Sequence, residues 1–308
     1  MSQRRIIAIA GPTASGKTEY AIKIAKTING EIVSCDSMQI YKFMDIGSAK
    51  PTREELKEVK HWLVDEIDPR EEFSVAIYRD MAKKYIEDIF SRGMTPIVAG
   101  GTGLYLNSLL YDMDFSDTAK DTELRETLMD EAELFGAEYL YKKLESLDPI
   151  KASNIHPNNV KKVIRALEGA INGEGIGEFS FLKEKTSDYD VVLIGITRDR
   201  EELYDRINRR VDLMVEEGLF DEVRDLLERG LTEEDISMKG IGYKEIIAFY
   251  DGVYTEEEAI EKIKQNTRHL AKRQMTWFRR YEDMHWFNLS ELKEEEALRE
   301  ILCLIQKP

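Results

Sequence analysis

A chain of 308 residues exceeds the usual size of a single hydrophobic core, so an α/β domain with a smaller inserted or appended unit is expected. With 42% hydrophobic and 34% charged residues it can bury a core, and no apolar run approaches the roughly 18 residues of a membrane span, so a soluble chain without a membrane partner is expected. The net charge of −16 disfavours nucleic-acid binding over the whole surface, and two cysteines far apart in sequence, Cys35 and Cys303, suit neither a disulfide framework nor a zinc module, so a reducing cytoplasm is expected.

The opening "RRIIAIAG" reads as a first strand, too short for the apolar part of a signal peptide, and it leads into "GPTASGKT". This octet, Gly11, Pro12, Thr13, Ala14, Ser15, Gly16, Lys17 and Thr18, has the spacing of a phosphate-binding P-loop. Gly11 and Gly16 let the backbone wrap a phosphate, the following helix offers its N-terminal amides, Lys17 adds a point charge, and Thr18 can hold Mg²⁺. The loop implies a polyphosphate; a nucleoside triphosphate such as ATP is only its commonest occupant.

A second strand, "GEIVSCDS", ends at Asp36, where ligands of open α/β sheets gather. From position alone Asp36 is a Mg²⁺ partner, a base or a helix cap. The third strand, "MTPIVAGG", runs into "AGGTG". There Gly100, Gly101 and Gly103 bring backbone close to the same mouth and Thr102 presents a hydroxyl, although a plain strand-to-helix turn reads the same way. From Phe115 to Ser187 the apolar residues recur at helical spacing, between the polar "SDTAKD" and the glycine-rich "NGEGIGEFS". A fourth strand, "YDVVLIGIT", follows. Strands alternating with helices indicate an α/β fold with a parallel sheet core flanked by helices. The expected division is a catalytic core of residues 1–114 and 188–308, with an all-helical insertion at 115–187.

Beyond the fourth strand, Asp199 and Glu202 stand at capping-box spacing before a helix that stops at Gly218. Its predicted buried stripe is Leu203, Ile207, Val211 and Met214, and Arg206 and Arg210 share the adjoining face. In the long helix after it, Ile260, Ile263, Leu270 and Trp277 form the expected core side, and Lys264, Arg268 and Lys272 line another. From Arg268 to Tyr281 the chain carries five Lys or Arg and no acid, a basic face on an acidic body. His61, His156, His269 and His285 show no metal-ligand spacing, and Trp277, Phe278 and Trp286 suit a core better than a base-stacking platform.

Six ordered segments, "GPTASGKT", "SCDSMQIYKFMDIGSAKP", "PIVAGGTGLYLNSLL", "IHPNNVKKVIRALE", "KGIGYKE" and "TRHLAKRQMTWFRR", together resemble the bacterial tRNA dimethylallyltransferase family over nearly the whole chain. The resemblance implies that the loop holds the pyrophosphate of dimethylallyl diphosphate and that the acceptor is N6 of the adenosine beside the anticodon in the tRNA anticodon stem-loop. Asp36 aligns with the base that removes the N6 proton, Thr102 with a residue positioning amine and diphosphate, and Arg210 with an arginine contacting the diphosphate. Arg206 and Arg125 are further candidates beside the same channel. Asp36, Ser37, Met38 and Gln39 align with the segment contacting the flipped base, and Arg125 is carried with the tRNA contacts. So are Val160, Lys161, Lys162, Val163 and Ile164 in the insertion and Lys239, Gly240, Ile241, Gly242, Tyr243 and Lys244 in "KGIGYK". Mg²⁺ is the implied cofactor, held at Thr18, and a monomer is expected. The sequence departs from the pattern at Glu174, where a lysine is usual, and its two cysteines cannot build the zinc finger of eukaryotic relatives.

Three other readings compete. A small-molecule P-loop kinase would use Arg206 and Arg210 as lid arginines over ATP and Asp36 to activate a hydroxyl. A cytokinin-type prenyltransferase would act on free adenine nucleotides, leaving the insertion nothing to grip. A non-catalytic RNA-binding module would not need Lys17, Thr18, Asp36 and Thr102 together.

Overall fold

The computed structural model describes residues 4–111, 113, 122–171 and 185–307. It divides into two compact units, Met1–Asp112 with Glu184–Pro308, and Met113–Lys183. The linkers "SDTAKD" and "NGEGIGEFS", with Glu174, lie outside the described residues.

The larger unit is built on six parallel strands, β1 (Arg5–Ala10), β2 (Gly30–Cys35), β3 (His61–Trp62), β4 (Thr95–Gly100), β5 (Asp190–Thr197) and β6 (His285–Asn288), in the order β3-β2-β4-β1-β5-β6. β1 lies inside the sheet, and Ile6, Ile7, Ala8, Ile9 and Ala10 are all buried, as a strand covered on both faces requires. The sequence reading found β1, β2, β4 and β5 and missed the two short edge strands. β3 is held by side chains more than by length: buried Glu31 accepts Trp62 Nε1 at 2.8 Å and two nitrogens of Arg92 at 2.6 Å each.

Helices α1 (Lys17–Ile28), α2 (Arg53–Glu58), α3 (Val75–Ser91) and α4 (Gly103–Leu110) belong to the first half of this unit. The smaller unit consists, among the described residues, of α5 (Thr122–Phe135), α6 (Ala137–Leu147), α7 (Pro149–Ser153) and α8 (Val160–Ile171). Leu128, Leu140, Leu144, Val163, Ile164 and Leu167 form its core. Each such side chain contributes about 1.5–3 kcal/mol on burial.

Back in the larger unit, α9 (Arg200–Glu216), α10 (Leu219–Glu228), α11 (Tyr243–Tyr250), α12 (Glu256–Phe278) and α13 (Glu294–Ile305) complete the chain. α9 buries Leu203, Ile207 and Val211 as expected, while Met214 is half-buried. The capping box expected at its start is absent. The Asp199 carboxylate accepts Asn288 Nδ2 at 2.9 Å, and Glu202 is taken by Arg198 and Ser290, both at 2.5 Å. A true capping box stands instead at Thr255 and Glu258, opening α12. α12 buries Ala259, Ile263, Ala271 and Phe278; Ile260, Leu270 and Trp277 are only half-buried, the last two because they face a cavity. α13 packs Ala297, Ile301 and Ile305 into the core with α1 and the central strands.

Candidate active site

The carboxyl ends of β1, β2 and β4 deliver three loops to one mouth, as the parallel topology dictates. The loop after β1 turns at Gly11, whose φ of +152° and approach to the Ile196 carbonyl leave no room for a Cβ. Two of its carbonyls are held by arginines: Arg206 Nε donates to Ala14 O at 2.9 Å and Arg198 Nε to Ser15 O at 3.1 Å. Lys17, Thr18 and the first turn of α1 face a cavity of about 440 Å³ that Arg206 and Arg210 also line. Lys17 Nζ donates to Pro12 O at 2.7 Å. Burial, then the charge of Arg210, pulls its pKa down to about 8, so a bound anion would favour its charged form.

After β2, Asp36 Oδ1 accepts the backbone amides of Met38 at 2.9 Å and Gln39 at 3.4 Å, which fixes the carboxylate at the head of a turn. The helix cap open from sequence is not found, because a turn and not a helix follows Asp36, and closing that turn does not exhaust the carboxylate. Burial raises its pKa above the ordinary 3.8, against the two amide bonds and the charge of Lys17, which is the environment of a proton acceptor. After β4, Thr102 Oγ1 accepts Ser37 N at 3.1 Å, so the two loops are joined at the site.

A second cavity of about 430 Å³ is lined by Thr102, Ser37 and Met38, and its wall is largely apolar, with Trp277, Leu270, Ile263, Ile241 and Leu219. Asp36 and Arg210 line both cavities. The arrangement is therefore a polar cavity at the loop after β1, where Lys17, Arg206 and Arg210 converge, and an apolar chamber, sharing a wall that carries the Asp36 carboxylate and the Arg210 guanidinium.

Two residues that sequence reasoning missed hold this arrangement. Gln274 on α12 accepts Thr13 N through Oε1 at 2.8 Å and donates from Nε2 to Gly101 O at 3.0 Å. Glu222 on α10 accepts the backbone amides of Asp45, Ile46 and Gly47 at 2.8, 2.7 and 3.0 Å, fixing a loop that lines both cavities. Gln274 lay within a recognised segment, but nothing in its spacing signalled the role.

The remaining candidates divide by exposure. In "KGIGYK", Tyr243 is fully buried and Gly242 is buried, Ile241 and Gly242 line the apolar chamber, and Lys239 and Lys244 are exposed. On α8, Val163 and Ile164 belong to the core of the helical unit, whereas Lys161 and Lys162 are exposed. Arg125 joins α5 to α8, donating through Nε and Nη2 to buried Glu168 at 2.8 and 2.7 Å. The basic face expected on α12 is partly spent on α9: Arg268 donates to Asn208 at 2.6 Å and Lys264 pairs with Asp212 at 2.7 Å. Lys272 and Arg273 are exposed, and Arg273 also lines the apolar chamber.

The chain is similar to known proteins over nearly its whole length. A family model described as IPP transferase matches residues 39–281. A tRNA dimethylallyltransferase of Alkaliphilus oremlandii is 54% identical over 305 residues, 99% of this chain and 97% of its own length. That of Clostridioides difficile is 48% identical, covering 100% of this chain and 99% of its own. Among solved structures, a full-length tRNA isopentenylpyrophosphate transferase from Bacillus halodurans is 44% identical with a TM-score of 0.75, covering 98% of this chain and 96% of its own. A eukaryotic dimethylallyltransferase acting on tRNA is 28% identical with a TM-score of 0.81, covering 97% of this chain and 77% of its own.

Proposed function

This chain belongs to the IPP transferase family, and from that premise we propose that it transfers the dimethylallyl group of dimethylallyl diphosphate to N6 of the adenosine 3′ of the anticodon in tRNA, giving N6-isopentenyladenosine and pyrophosphate. The observation that carries this reading is the shared wall: Asp36 and Arg210 face both a phosphate cradle and an apolar chamber. A kinase acceptor hydroxyl calls for a polar second pocket; the largely apolar wall of this one suits a prenyl chain and a planar base.

In this reading the diphosphate occupies the cradle formed by Gly11, Pro12, Thr13, Ala14, Ser15, Gly16, Lys17 and Thr18, and a flipped adenine enters the chamber beside Trp277 and Met38. The N6 amine is a weak nucleophile because its lone pair is delocalised into the ring. Asp36 takes its proton as the N6–C1 bond forms and the C1–O bond to pyrophosphate breaks. The electron pair of the broken bond stays on pyrophosphate, where Lys17, Arg210 and the loop amides at the α1 N-terminus receive the charge. Thr102, anchored to Ser37, orients the amine.

Mg²⁺ suits the cradle by chemistry: the Thr18 hydroxyl lines it, and Mg²⁺ commonly takes few protein oxygens and completes its shell with phosphate and water. When bound it supplies further charge neutralisation to the leaving group. The tRNA is gripped through phosphate contacts at Lys161, Lys162, Lys239 and Lys244, which position without specifying sequence. The setting is the cytoplasm and the working form a monomer.

The test is release of pyrophosphate from dimethylallyl diphosphate with and without tRNA, with ATP as a parallel donor. Release that requires tRNA supports the reading; ATP turnover with dimethylallyl diphosphate inert overturns it.

A further inference from the structure

We propose that Gln274 is a positioning residue of this reaction, its side-chain amide setting the separation between the phosphate loop and the Gly101–Thr102 loop. The inference rests on the prenyl-transfer reading above. Gln274 lines both cavities, and it bridges two loops that come from different strands and carry different parts of the chemistry. Its Oε1 takes Thr13 N at 2.8 Å and its Nε2 gives to Gly101 O at 3.0 Å. The two partners fix the amide's orientation, because an N–H must meet the oxygen and a carbonyl the NH₂.

The glycines of "GGTG" fit the same account. A Cβ on Gly101 would fall inside contact distance of the Gln274 amide, and one on Gly103 would fall inside the Trp277 ring. Gln274 and Trp277 are three apart on α12, hence on one face, and Gly101 and Gly103 are two apart on the loop. α12 is therefore seated on the loop through two glycines, and the Gln274 amide extends from that seat to the phosphate loop. Thr102, which lies between the glycines, is held to Ser37, next to Asp36. A shift of the phosphate loop relative to Gly101 would move the allylic carbon away from Asp36 and Thr102 without removing any group that reacts.

A displacement of about 1 Å in such a site costs on the order of 100-fold in rate. Gln274→Met keeps the side chain's length and removes both hydrogen bonds. Its kcat should fall about 10- to 100-fold, with KM for each substrate close to wild type and the midpoint of thermal unfolding lower by only a few degrees. Gln274→Glu keeps the acceptor for Thr13 N but sets a carboxylate oxygen against Gly101 O and adds negative charge beside the diphosphate. It should lose kcat and also raise KM for dimethylallyl diphosphate. Either variant with wild-type kcat would overturn the proposal, and so would a kcat loss matched by a comparable loss of unfolding midpoint in both. Wild-type protein that fails to transfer a prenyl group would instead defeat the functional reading, and pyrophosphate binding by calorimetry would still report the cradle.

Discussion

The hydroxyl of Tyr243 donates to Glu222 Oε1 at 2.9 Å, and the same carboxylate receives three consecutive backbone amides from Asp45 to Gly47. A residue on α11 and a cavity wall thus depend on one side chain of α10. Glu222→Ala leaves those donors without their partner and should cost about 2 kcal/mol, and Tyr243→Phe about 1 kcal/mol. Urea unfolding measures both. Equal losses would show that the amides of the loop do not need the carboxylate.

Asp36→Asn retains the acceptor oxygen for Met38 N and Gln39 N and removes the base, so fold and tRNA affinity should persist while kcat falls about 10²- to 10⁴-fold. A near-normal rate would exclude Asp36 as the proton acceptor. Because burial raises its pKa, the wild-type rate should fall on acidification through a value above the ordinary 3.8. The sign for stability is the reverse. Between the ordinary and the raised pKa the native state binds more protons than the unfolded chain, so this group's contribution falls as pH rises through that window.

Lys17, whose pKa burial pulls down to about 8, should lose its charge as pH rises through that value, and pyrophosphate affinity should weaken with it. Lys17→Met carries only pyrophosphate's own titration, so the difference between the two calorimetric profiles isolates the lysine. Coincident profiles would contradict the lowered pKa. For stability, the native state binds fewer protons than the unfolded chain between about 8 and 10.5, so this group's contribution rises with pH across that window.

Gly103→Ala forces a methyl into the Trp277 ring and should cost about 1–3 kcal/mol by overpacking. Trp277→Leu in the same chain should recover part of that loss by making room. Chemical unfolding of the single and double variants measures it, and an additive double variant would show that the two residues do not meet.

Arg125→Ala removes one partner of the fully buried Glu168 carboxylate and should destabilise the helical unit by about 1–3 kcal/mol. If Arg125 served only as an RNA contact, tRNA affinity would fall with no change in unfolding.

The central strands were legible because β1, β2, β4 and β5 are apolar runs bounded by turn residues, and their ends placed the phosphate loop, Asp36 and Thr102 at one mouth. β3 and β6 were not, since two and four residues with His and Trp among them carry no period. Asp199 and Glu202 had the spacing of a cap, yet their carboxylates found partners 89 and 88 residues away. Gln274 was illegible for the same reason: its two partners are 261 and 173 residues distant. A local pattern reports helix phase but not what a polar side chain meets across the fold. α12 shows the limit even for phase, because Leu270 and Trp277 read as core and in fact line the chamber.

The central claim is that one wall, carrying Asp36 and Arg210, serves a diphosphate on one side and a tRNA adenosine on the other. Its most direct test is nucleoside mass spectrometry after incubating the protein with Mg²⁺, dimethylallyl diphosphate and unmodified tRNA bearing adenosine 3′ of the anticodon, with free AMP in parallel. The account predicts N6-isopentenyladenosine from the tRNA and none from AMP. Product from AMP alone, or no product from either while ATP is consumed, would contradict it.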